Sequence, residues 1–392
     1  MVREISRHRL TVAGGRPLYV EAEAFAADGR GDVLLAGTPN YLWKVSPQGE
    51  INGLTADSIL GVVIARDGTA RLAPAPVDPR RIRGIRAAAR PDGGWDVVFA
   101  DIPADSSTSA GAERLWYAAF DGSRWSSLEP LPVPPDVALS PLFTSSLVRH
   151  GDTLAWALTP AMRQGRRDVS LFRRVGSRWT HETVPTAHAV DVDLAFSDSL
   201  GLVVAVVQPD PTLLPDGNSL LLWTRRPEWR IHRRLVHGTG EGRVHAPSLV
   251  HAAGGLLATW WTPVDEGPET RHELRARYLG PGALDEPPLL LDPAVPLGAE
   301  TSPVILHDGM PLWLTQHGPA ENGLRGSTEL RYVSVAGREP FEMARIPNPY
   351  LMRSAAAATA PGELLVSGME YEANRFAFSL LLRARVECGG GA

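Results

Sequence analysis

The stretch "IRGIRAAARPDGGWDVVFADIP" (Ile82–Pro103), followed after a polar loop by "ERLWYAAFDGSRWSSLEPLP" (Glu113–Pro132), decides the fold. Its apolar and polar positions alternate, as at Leu115, Tyr117 and Ala119, which is typical of extended chain. The "DG" and "GS" pairs between the extended runs favour tight hairpin turns. The stretch therefore predicts a four-stranded antiparallel meander.

The same unit recurs along the chain. Trp125, Trp179 and Trp229 follow one another at intervals of 54 and 50 residues, and each opens the last short strand of its unit. A single four-stranded sheet cannot bury both its faces, whereas a ring of such sheets can, so a repeat of this length favours a β-propeller. We predict one all-β domain over 1–388, a seven-bladed β-propeller of four-stranded antiparallel blades, with approximate units 16–76, 77–132, 133–186, 187–236, 237–293, 294–347 and 348–388, and a flexible tail 389–392.

The last unit lacks a fourth strand, and the N-terminal "SRHRLTV" is a strand without a partner. We therefore expect an N-terminal strand within 7–13, centred on Arg9 to Val12, to complete the last blade and close the ring. Six or eight blades are alternatives, and two stacked β-sandwiches are the main rival architecture. The regular repeat favours the propeller.

The composition bounds the class of protein. The 392 residues are 44% hydrophobic with a formal net charge of −5, so no basic surface favours nucleic acid. Lys44 is the one lysine among 39 basic residues, a bias typical of a bacterial, GC-rich genome.

The single cysteine, Cys388, excludes a disulfide within one chain. No run of apolar residues is long enough to span a membrane, so we expect a soluble protein, cytoplasmic or, alternatively, exported with its leader removed.

The repeated tryptophan has two readings. We expect it to pack between neighbouring blades with its N–H on a loop carbonyl, because a position repeated in several blades serves assembly. The alternative is a platform on which sugars stack.

The repeat resembles the Asp-box (BNR) turn of the sialidase-like propellers, roughly Ser-x-Asp-x-Gly-x-x-Trp. "FDGSRW" supplies Asp121, Gly122 and Trp125, while "VGSRW" and "RPEW" keep less of the motif. The resemblance implies a sialidase-like fold. It also implies an arginine that binds a substrate carboxylate, for which Arg353 is in register and "ARIP" at 344–347 is not. The family's full set of three arginines, a Tyr/Glu pair and an acid is incomplete here, so sialic acid hydrolysis is not expected.

Propeller geometry places ligand sites where inner strands begin and second strands end, around the central channel. Two arginines there could clamp an anion, and glutamate or histidine could act as acid or base. Each residue also has a structural interpretation, as a member of an inter-blade ion pair or as a solvated side chain. The candidates are Glu370, His245 and His317 for catalysis, and Arg83, Arg353, Asp101, Gln316, Tyr371 and Thr262 for ligand binding.

No metal or cofactor motif is present, and neither is expected. The leading hypothesis is a propeller that binds a glycan, a peptide or a small acidic metabolite in a polar central funnel. The alternative is an enzyme of glycan or specialised metabolism, a hydrolase or a lyase/cyclase, that acts in the same funnel by acid–base chemistry. A structural subunit that binds through its rim is a third possibility. We expect no nucleic-acid partner and favour a monomer.

Overall fold

The structure is a computed structural model. It describes residues 2–386 apart from 13–15, 21–22, 38–39, 46–50, 56–58, 102–113, 136, 138–143, 162–164, 211–216, 226, 236–243, 253–254, 265–270, 280–286, 297–302, 307, 318–328, 337–338, 348–350 and 373–375. Within these ranges the chain forms 32 strands, one short 3-10 turn at Pro79–Arg81 and no α-helix. Among the same residues, no helix has the length and apolar character needed to cross a bilayer.

The first half of the described strands runs from the N-terminus to the third blade. These strands are β1 (Val2–Arg9), β2 (Thr11–Val12), β3 (Arg16–Val20), β4 (Ala24–Ala27), β5 (Val33–Ala36), β6 (Asn40–Val45), β7 (Ile51–Thr55), β8 (Ile59–Ile64), β9 (Ala70–Pro74), β10 (Ile82–Ala89), β11 (Trp95–Asp101), β12 (Arg114–Phe120), β13 (Glu129–Pro130), β14 (Ser145–His150), β15 (Thr153–Leu158), β16 (Val169–Val175) and β17 (Arg178–Val184).

The second half completes the ring. Its strands are β18 (Asp191–Ser197), β19 (Gly201–Pro209), β20 (Asn218–Arg225), β21 (Trp229–Arg234), β22 (His245–Ala252), β23 (Gly255–Pro263), β24 (Arg271–Tyr278), β25 (Leu289–Pro296), β26 (Val304–Ile305), β27 (Pro311–His317), β28 (Glu329–Ala336), β29 (Glu339–Pro347), β30 (Leu351–Ala360), β31 (Glu363–Glu372) and β32 (Phe376–Val386).

Seven four-stranded antiparallel sheets form the blades of a β-propeller, which confirms the predicted fold. Blade 1 has the strand order β4-β5-β8-β9, and blades 2 to 6 take the next twenty strands four at a time. Blade 7 has the order β30-β31-β32-β1, counted from the centre outward. Its outermost strand comes from the N-terminus, so the two ends of the chain close the ring.

The closing strand differs from the expected one in position. It is Val2–Arg9, which pairs antiparallel with β32, whereas Thr11–Val12 pairs with β3 in a different sheet. The expected range 7–13 overlaps the closing strand only at 7–9, and the pairing of Thr11–Val12 with β3 was not predicted. Leu10 joins them, and its backbone N–H donates to Ser379 O at 2.7 Å.

An eighth small sheet lies outside the blade count. It has the order β2-β3-β6-β7, and the hairpin β6–β7 is an insertion between the second and third strands of blade 1. Leu10, Leu18 and Val20 from this part of the chain pack into one apolar cluster with side chains of blades 1 and 7, such as Val33 and Leu381. The β2–β3 part of this sheet therefore packs at the junction where the ring closes.

The core lies between blades. Strands at the middle of each blade are buried on both faces, so they read as continuous apolar runs; β5 and β8 are examples, with every side chain buried. Each apolar cluster joins two or more neighbouring blades, as where Trp95 and Phe99 of blade 2 meet Leu34 and Val63 of blade 1.

The repeated tryptophan packs between blades. Trp125 stacks on Phe120 with 4.4 Å between ring centroids, and its Nε1 donates to Pro74 O of blade 1 at 2.8 Å. Trp229 of blade 4 donates to the Glu182 carboxylate of blade 3 at 3.2 Å. Trp179 packs edge-on against Tyr117 of the preceding blade. The assembly reading is thus confirmed for the repeat, with the loop carbonyl as partner at Trp125.

Candidate functional site

The upper face of the ring is defined here as the face where each inner strand begins and each second strand ends. The antiparallel order brings these two chain positions together in every blade, since the start of a strand pairs with the end of the next one. In blade 2, for example, Ile82 pairs with Asp101. The predicted site residues all lie on this face, in blades 2, 5, 6 and 7.

Blade 2 contributes Arg83 and Asp101. Arg83 Nη1 donates to Ile82 O at 2.7 Å, and the Arg83 charge acts on the Glu23 carboxyl. Asp101 accepts a hydrogen bond from Arg81 Nε at 2.6 Å. The Asp101 carboxylate is therefore engaged by Arg81 of its own blade.

His317 of blade 6 is buried against blade 5. Its Nε2 lies 2.7 Å from Asp292 Oδ2 of blade 5 and 3.2 Å from Thr315 Oγ1. The His317 side chain is 9% exposed and that of Asp292 is 1% exposed. Burial alone would raise the pKa of Asp292, but hydrogen bonds and charge from His317, Thr315 and Arg331 outweigh it and hold that pKa below its ordinary value. The pair joins two blades.

The other described candidates differ in exposure. Gln316 and Thr262 are each 1% exposed, and Thr262 Oγ1 has no hydrogen-bond partner among the described residues. His245 begins β22, is part-exposed, and its ring lies edge-on to His272 with 4.6 Å between centroids. Of these three residues, His245 alone is not buried.

Arg353, Glu370 and Tyr371 belong to blade 7. Their backbone lies in β30 and β31, where Leu351 pairs with Glu370, so the three residues share the upper edge of the blade. Their side chains lie outside the described residues. The anion clamp and the role of Glu370 therefore stay predictions.

The structure brings together a different polar set, which we call the channel ring. Its members sit on the inner strands, or the turn before them, of blades 1 to 5: Glu23, Arg86, Ser146, Asp191, Asp193 and His245.

Arg86 links three blades within the channel ring. Its Nε donates to Ser145 O of blade 3 at 2.7 Å, and its Nη1 donates to Glu23 O of blade 1 at 3.1 Å. The Glu23 carboxylate in turn accepts the Ile85 backbone N–H at 2.9 Å. Burial raises the pKa of Glu23, with partial opposition from the Ile85 N–H and from Arg86.

Asp191 and Asp193 of blade 4 form the channel ring's contacts with blades 3 and 5. The Asp193 carboxyl accepts from the Leu249 N–H of blade 5 at 2.6 Å and contacts the Ser146 hydroxyl of blade 3. Asp191 accepts from the Ala246 N–H of blade 5 at 3.0 Å. Burial raises the pKa of Asp193 to about 6. Burial likewise raises the pKa of Asp191, against hydrogen bonds and the charge of His245.

The channel ring can therefore donate and accept hydrogen bonds within the same small space. Carboxyls whose pKa is raised toward neutrality exchange protons near physiological pH, and a guanidinium beside them fixes polar ligands. Among the described residues, no cluster of three or more His, Cys, Asp or Glu side chains could hold a metal ion.

The sequence alone did not predict that Glu23, Arg86, Ser146 and Asp193 belong to the candidate site. A signal was present in the alternating acids of "EAEAF" and "DVDLAF" at the starts of two inner strands. Residues i and i+2 of a strand share a face, so Asp191 and Asp193 had to point the same way.

Comparisons with known proteins give the fold. No protein-family model matches the sequence, and no curated protein sequence is similar to it. A protein of unknown function from Dyadobacter fermentans DSM 18053 matches with a TM-score of 0.50 at 10% identity, over 98% of this chain and 99% of that one. A hypothetical selenium-binding protein from Sulfolobus tokodaii matches with a TM-score of 0.50 at 10% identity, over 85% and 79% of the two chains.

The matched structures also include the class that the sequence resembles. A neuraminidase-like protein of subtype N11 from A/flat-faced bat/Peru/033/2010 (H18N11) has a TM-score of 0.39 and 10% identity, with 79% of this chain and 89% of that one covered. Identities this low carry no statement about activity.

Proposed function

We propose that this protein is a ligand-binding propeller whose channel ring binds a glycan. The observation that carries the proposal is the set of hydrogen bonds by which polar inner-strand groups of five consecutive blades meet around the channel. Side chains that differ from blade to blade suit an asymmetric ligand.

Charge favours a neutral glycan over a small acid at the described part of the channel. Glu23, Asp191 and Asp193 supply three carboxyls there, against the guanidinium groups of Arg83 and Arg86. Hydroxyl groups can donate to a carboxylate and accept from a guanidinium, so a sugar uses both kinds of partner. An acidic metabolite would depend on Arg353 as the second clamp.

The first experiment is a thermal-shift screen with neutral oligosaccharides and small carboxylates, followed by calorimetry. A ligand at one hundred times its dissociation constant should stabilise the fold by about 2.7 kcal/mol. Asp193→Asn should weaken glycan binding by about tenfold, because the amide cannot offer two acceptor oxygens to the same donors. Arg124→Ala, at an exposed position of the opposite face, is the matched control.

Two outcomes separate the ligand classes. If Arg83→Ala combined with Arg353→Ala abolishes binding of a carboxylate, the funnel binds an acid. If neither ligand class binds, or if Asp193→Asn binds the glycan as the wild type does, the channel ring is a structural device and the proposal is wrong.

A second candidate, a glycan hydrolase acting in the same funnel, rests on the carboxyl pair. Glycoside hydrolysis uses one protonated and one ionised carboxyl, and Asp193 has its pKa raised to about 6 beside Asp191. Turnover of a panel of aryl glycosides tests this candidate. Asp193→Asn and Glu370→Gln should each abolish turnover while sparing folding; unchanged rates in both would exclude these acids.

A further inference from the structure

A second cavity opens on the lower face, the face that carries the turns between first and second strands. It has a volume of about 390 Å³, which lies within the usual range for small-molecule sites. It sits between blades 2 and 3, at the opposite end of the sheets from the channel ring. Its polar walls include Arg90, Asp96, Tyr117, Glu129, Arg149 and Arg174.

One residue in this cavity breaks the repeat. The second residue of the second strand is Asp96 in blade 2 and leucine in all six other blades. The leucines are Leu34, Leu154, Leu202, Leu256, Leu312 and Leu364. Folding of a blade thus does not require an aspartate at this position, so Asp96 points to a role other than folding.

Asp96 is 1% exposed and is held by two groups. Tyr117 Oη donates to Asp96 Oδ1 at 2.7 Å, and Arg149 of blade 3 forms an ion pair with Oδ2. Burial, together with the hydrogen bond and charge of Asp96, raises the pKa of Tyr117, so the phenol stays a donor. A buried ion pair of this kind is weak evidence for stability, because a well-packed apolar pair would often serve as well.

A second ion pair lies beside the first. Arg174 Nη2 is 3.2 Å from Glu129 Oε1, and the Arg174 guanidinium covers the Tyr117 ring at 4.4 Å from its centroid. The Nε atoms of Arg149 and Arg174 are buried and have no hydrogen-bond partner among the described residues. Both arginines line the cavity and keep part of their side chains exposed, so a group that enters it can accept hydrogen bonds from their guanidinium groups.

The neighbouring junctions carry different contacts at this level. Between blades 1 and 2, Arg30 of blade 1 pairs with Asp28 at 3.1 Å and reaches over to the Asp121 carbonyl. Between blades 3 and 4, the rings of His150 and Phe196 stack with 5.1 Å between centroids. The Asp96–Arg149 ion pair is thus not repeated at these two junctions.

The charge of the lining selects the class of ligand. Arg90, Arg149 and Arg174 each have a carboxylate partner, in Asp92, Asp96 and Glu129. Asp152 adds a fourth acid at the exposed rim, so the lining carries one more negative than positive group. The excess negative charge would repel an anionic ligand. Hydroxyl groups would instead bind paired guanidinium and carboxylate edges as acceptors and donors at once.

We propose that this cavity is a second binding site, independent of the channel ring, for a neutral polyhydroxy ligand of monosaccharide size. The ligand's hydroxyl oxygens accept from the guanidinium groups of Arg149 and Arg174, and its hydroxyl hydrogens reach the Glu129 and Asp152 carboxylates.

The test compares the wild type with Asp96→Leu/Tyr117→Phe. This double variant gives blade 2 the residues that blade 3 carries at the matching positions, Leu154 and Phe172, and its folding is checked by thermal melting because Arg149 loses its carboxylate partner. Saturation-transfer NMR and calorimetry with a panel of neutral pentoses and hexoses should find at least one sugar that binds at millimolar or lower concentration. The double variant should lose about tenfold or more in affinity, whereas Arg178→Ala, exposed in blade 3, should bind as the wild type does.

A second variant and a salt series complete the test. Asp152→Ala, at the exposed rim, should weaken binding even if the double variant does not fold. Raising NaCl from about 0.05 to about 0.5 M should leave affinity unchanged for a neutral ligand. The proposal is overturned if no sugar binds, if both variants bind normally, or if phosphate or citrate binds here in a salt-dependent manner. Asp193→Asn should not change sugar binding in this cavity. A loss of binding in the cavity can therefore be told apart from a loss of binding at the channel ring.

Discussion

Trp125 of blade 2 donates its indole N–H to the carbonyl of Pro74 in blade 1, at 2.8 Å, while its ring stacks on Phe120. Trp179 occupies the same position in blade 3, but its buried Nε1 has no hydrogen-bond partner among the described residues. The same repeat position is therefore bonded across the blade junction in one case and only packed in the other.

This difference predicts unequal effects of the same substitution. Trp125→Phe removes a hydrogen bond and leaves the Pro74 carbonyl without its donor, so the free energy of unfolding should fall by about 1 kcal/mol or more. Trp179→Phe removes no bond and relieves a buried donor, so it should cost less. Denaturant titrations of the two variants measure the difference; equal losses would show that ring size alone matters.

His317 should be a structural residue. His317→Ala leaves the Asp292 carboxylate buried with a weaker set of partners, and removing one member of a buried pair typically costs about 3–5 kcal/mol. We expect a clear fall in melting temperature. His188→Ala, at an exposed position, is the control and should melt as the wild type does. A His317→Ala variant of full stability that has lost a catalytic activity would instead support the sequence-based catalytic role.

Asp193 should make the protein less stable as pH rises from about 4 to about 6. Its pKa is raised by burial to about 6, so in this window the folded state holds a proton that the unfolded state releases. The stabilisation is complete at low pH and is lost as pH rises through the folded pKa. The stability of wild type minus that of Asp193→Asn should therefore decline across this window and level off above it.

The measurement is a melting-temperature series against pH for both proteins. Glu23 and Asp191 also have raised pKa values, and Arg86 and His245 face the same space, so only the difference between wild type and variant isolates Asp193. A difference that is flat with pH would mean that Asp193 keeps an ordinary pKa.

The sequence was informative about the fold because the repeat encodes it locally. Turn pairs such as Asp121-Gly122 and the alternation beside them occur in each unit, so hairpins could be counted without knowing any long-range contact. The inserted hairpin β6–β7 was not anticipated, since its alternation is like that of a blade strand. Choosing between Thr11–Val12 and Val2–Arg9 as the closing strand required the pairing with β32.

The sites were harder to predict because they depend on register. Asp96 becomes conspicuous only when the second strands of all seven blades are aligned and six leucines appear beside it. Likewise, Asp193 and Arg86 meet because inner strands of different blades converge at the axis, which no local pattern expresses. His317 could be placed on the right face, but its burial against Asp292 depends on a neighbouring blade.

The closing strand β1 should be needed for the stability of the ring. β1 supplies the outer edge of blade 7, where Val2 pairs with Val386 and Arg9 with Leu380. Deleting residues 2–9 should expose β32 as a long edge strand and uncover Val2's apolar neighbours, so the protein should melt at lower temperature and aggregate. Ile5→Ala is the matched control: Ile5 lies in the same strand but is 53% exposed, and its truncation should change stability little. Adding the peptide 1–9 in trans should restore part of the lost stability, because it can pair with the open edge. A deletion variant that melts like the wild type would show that the eighth sheet, rather than β1, closes the ring.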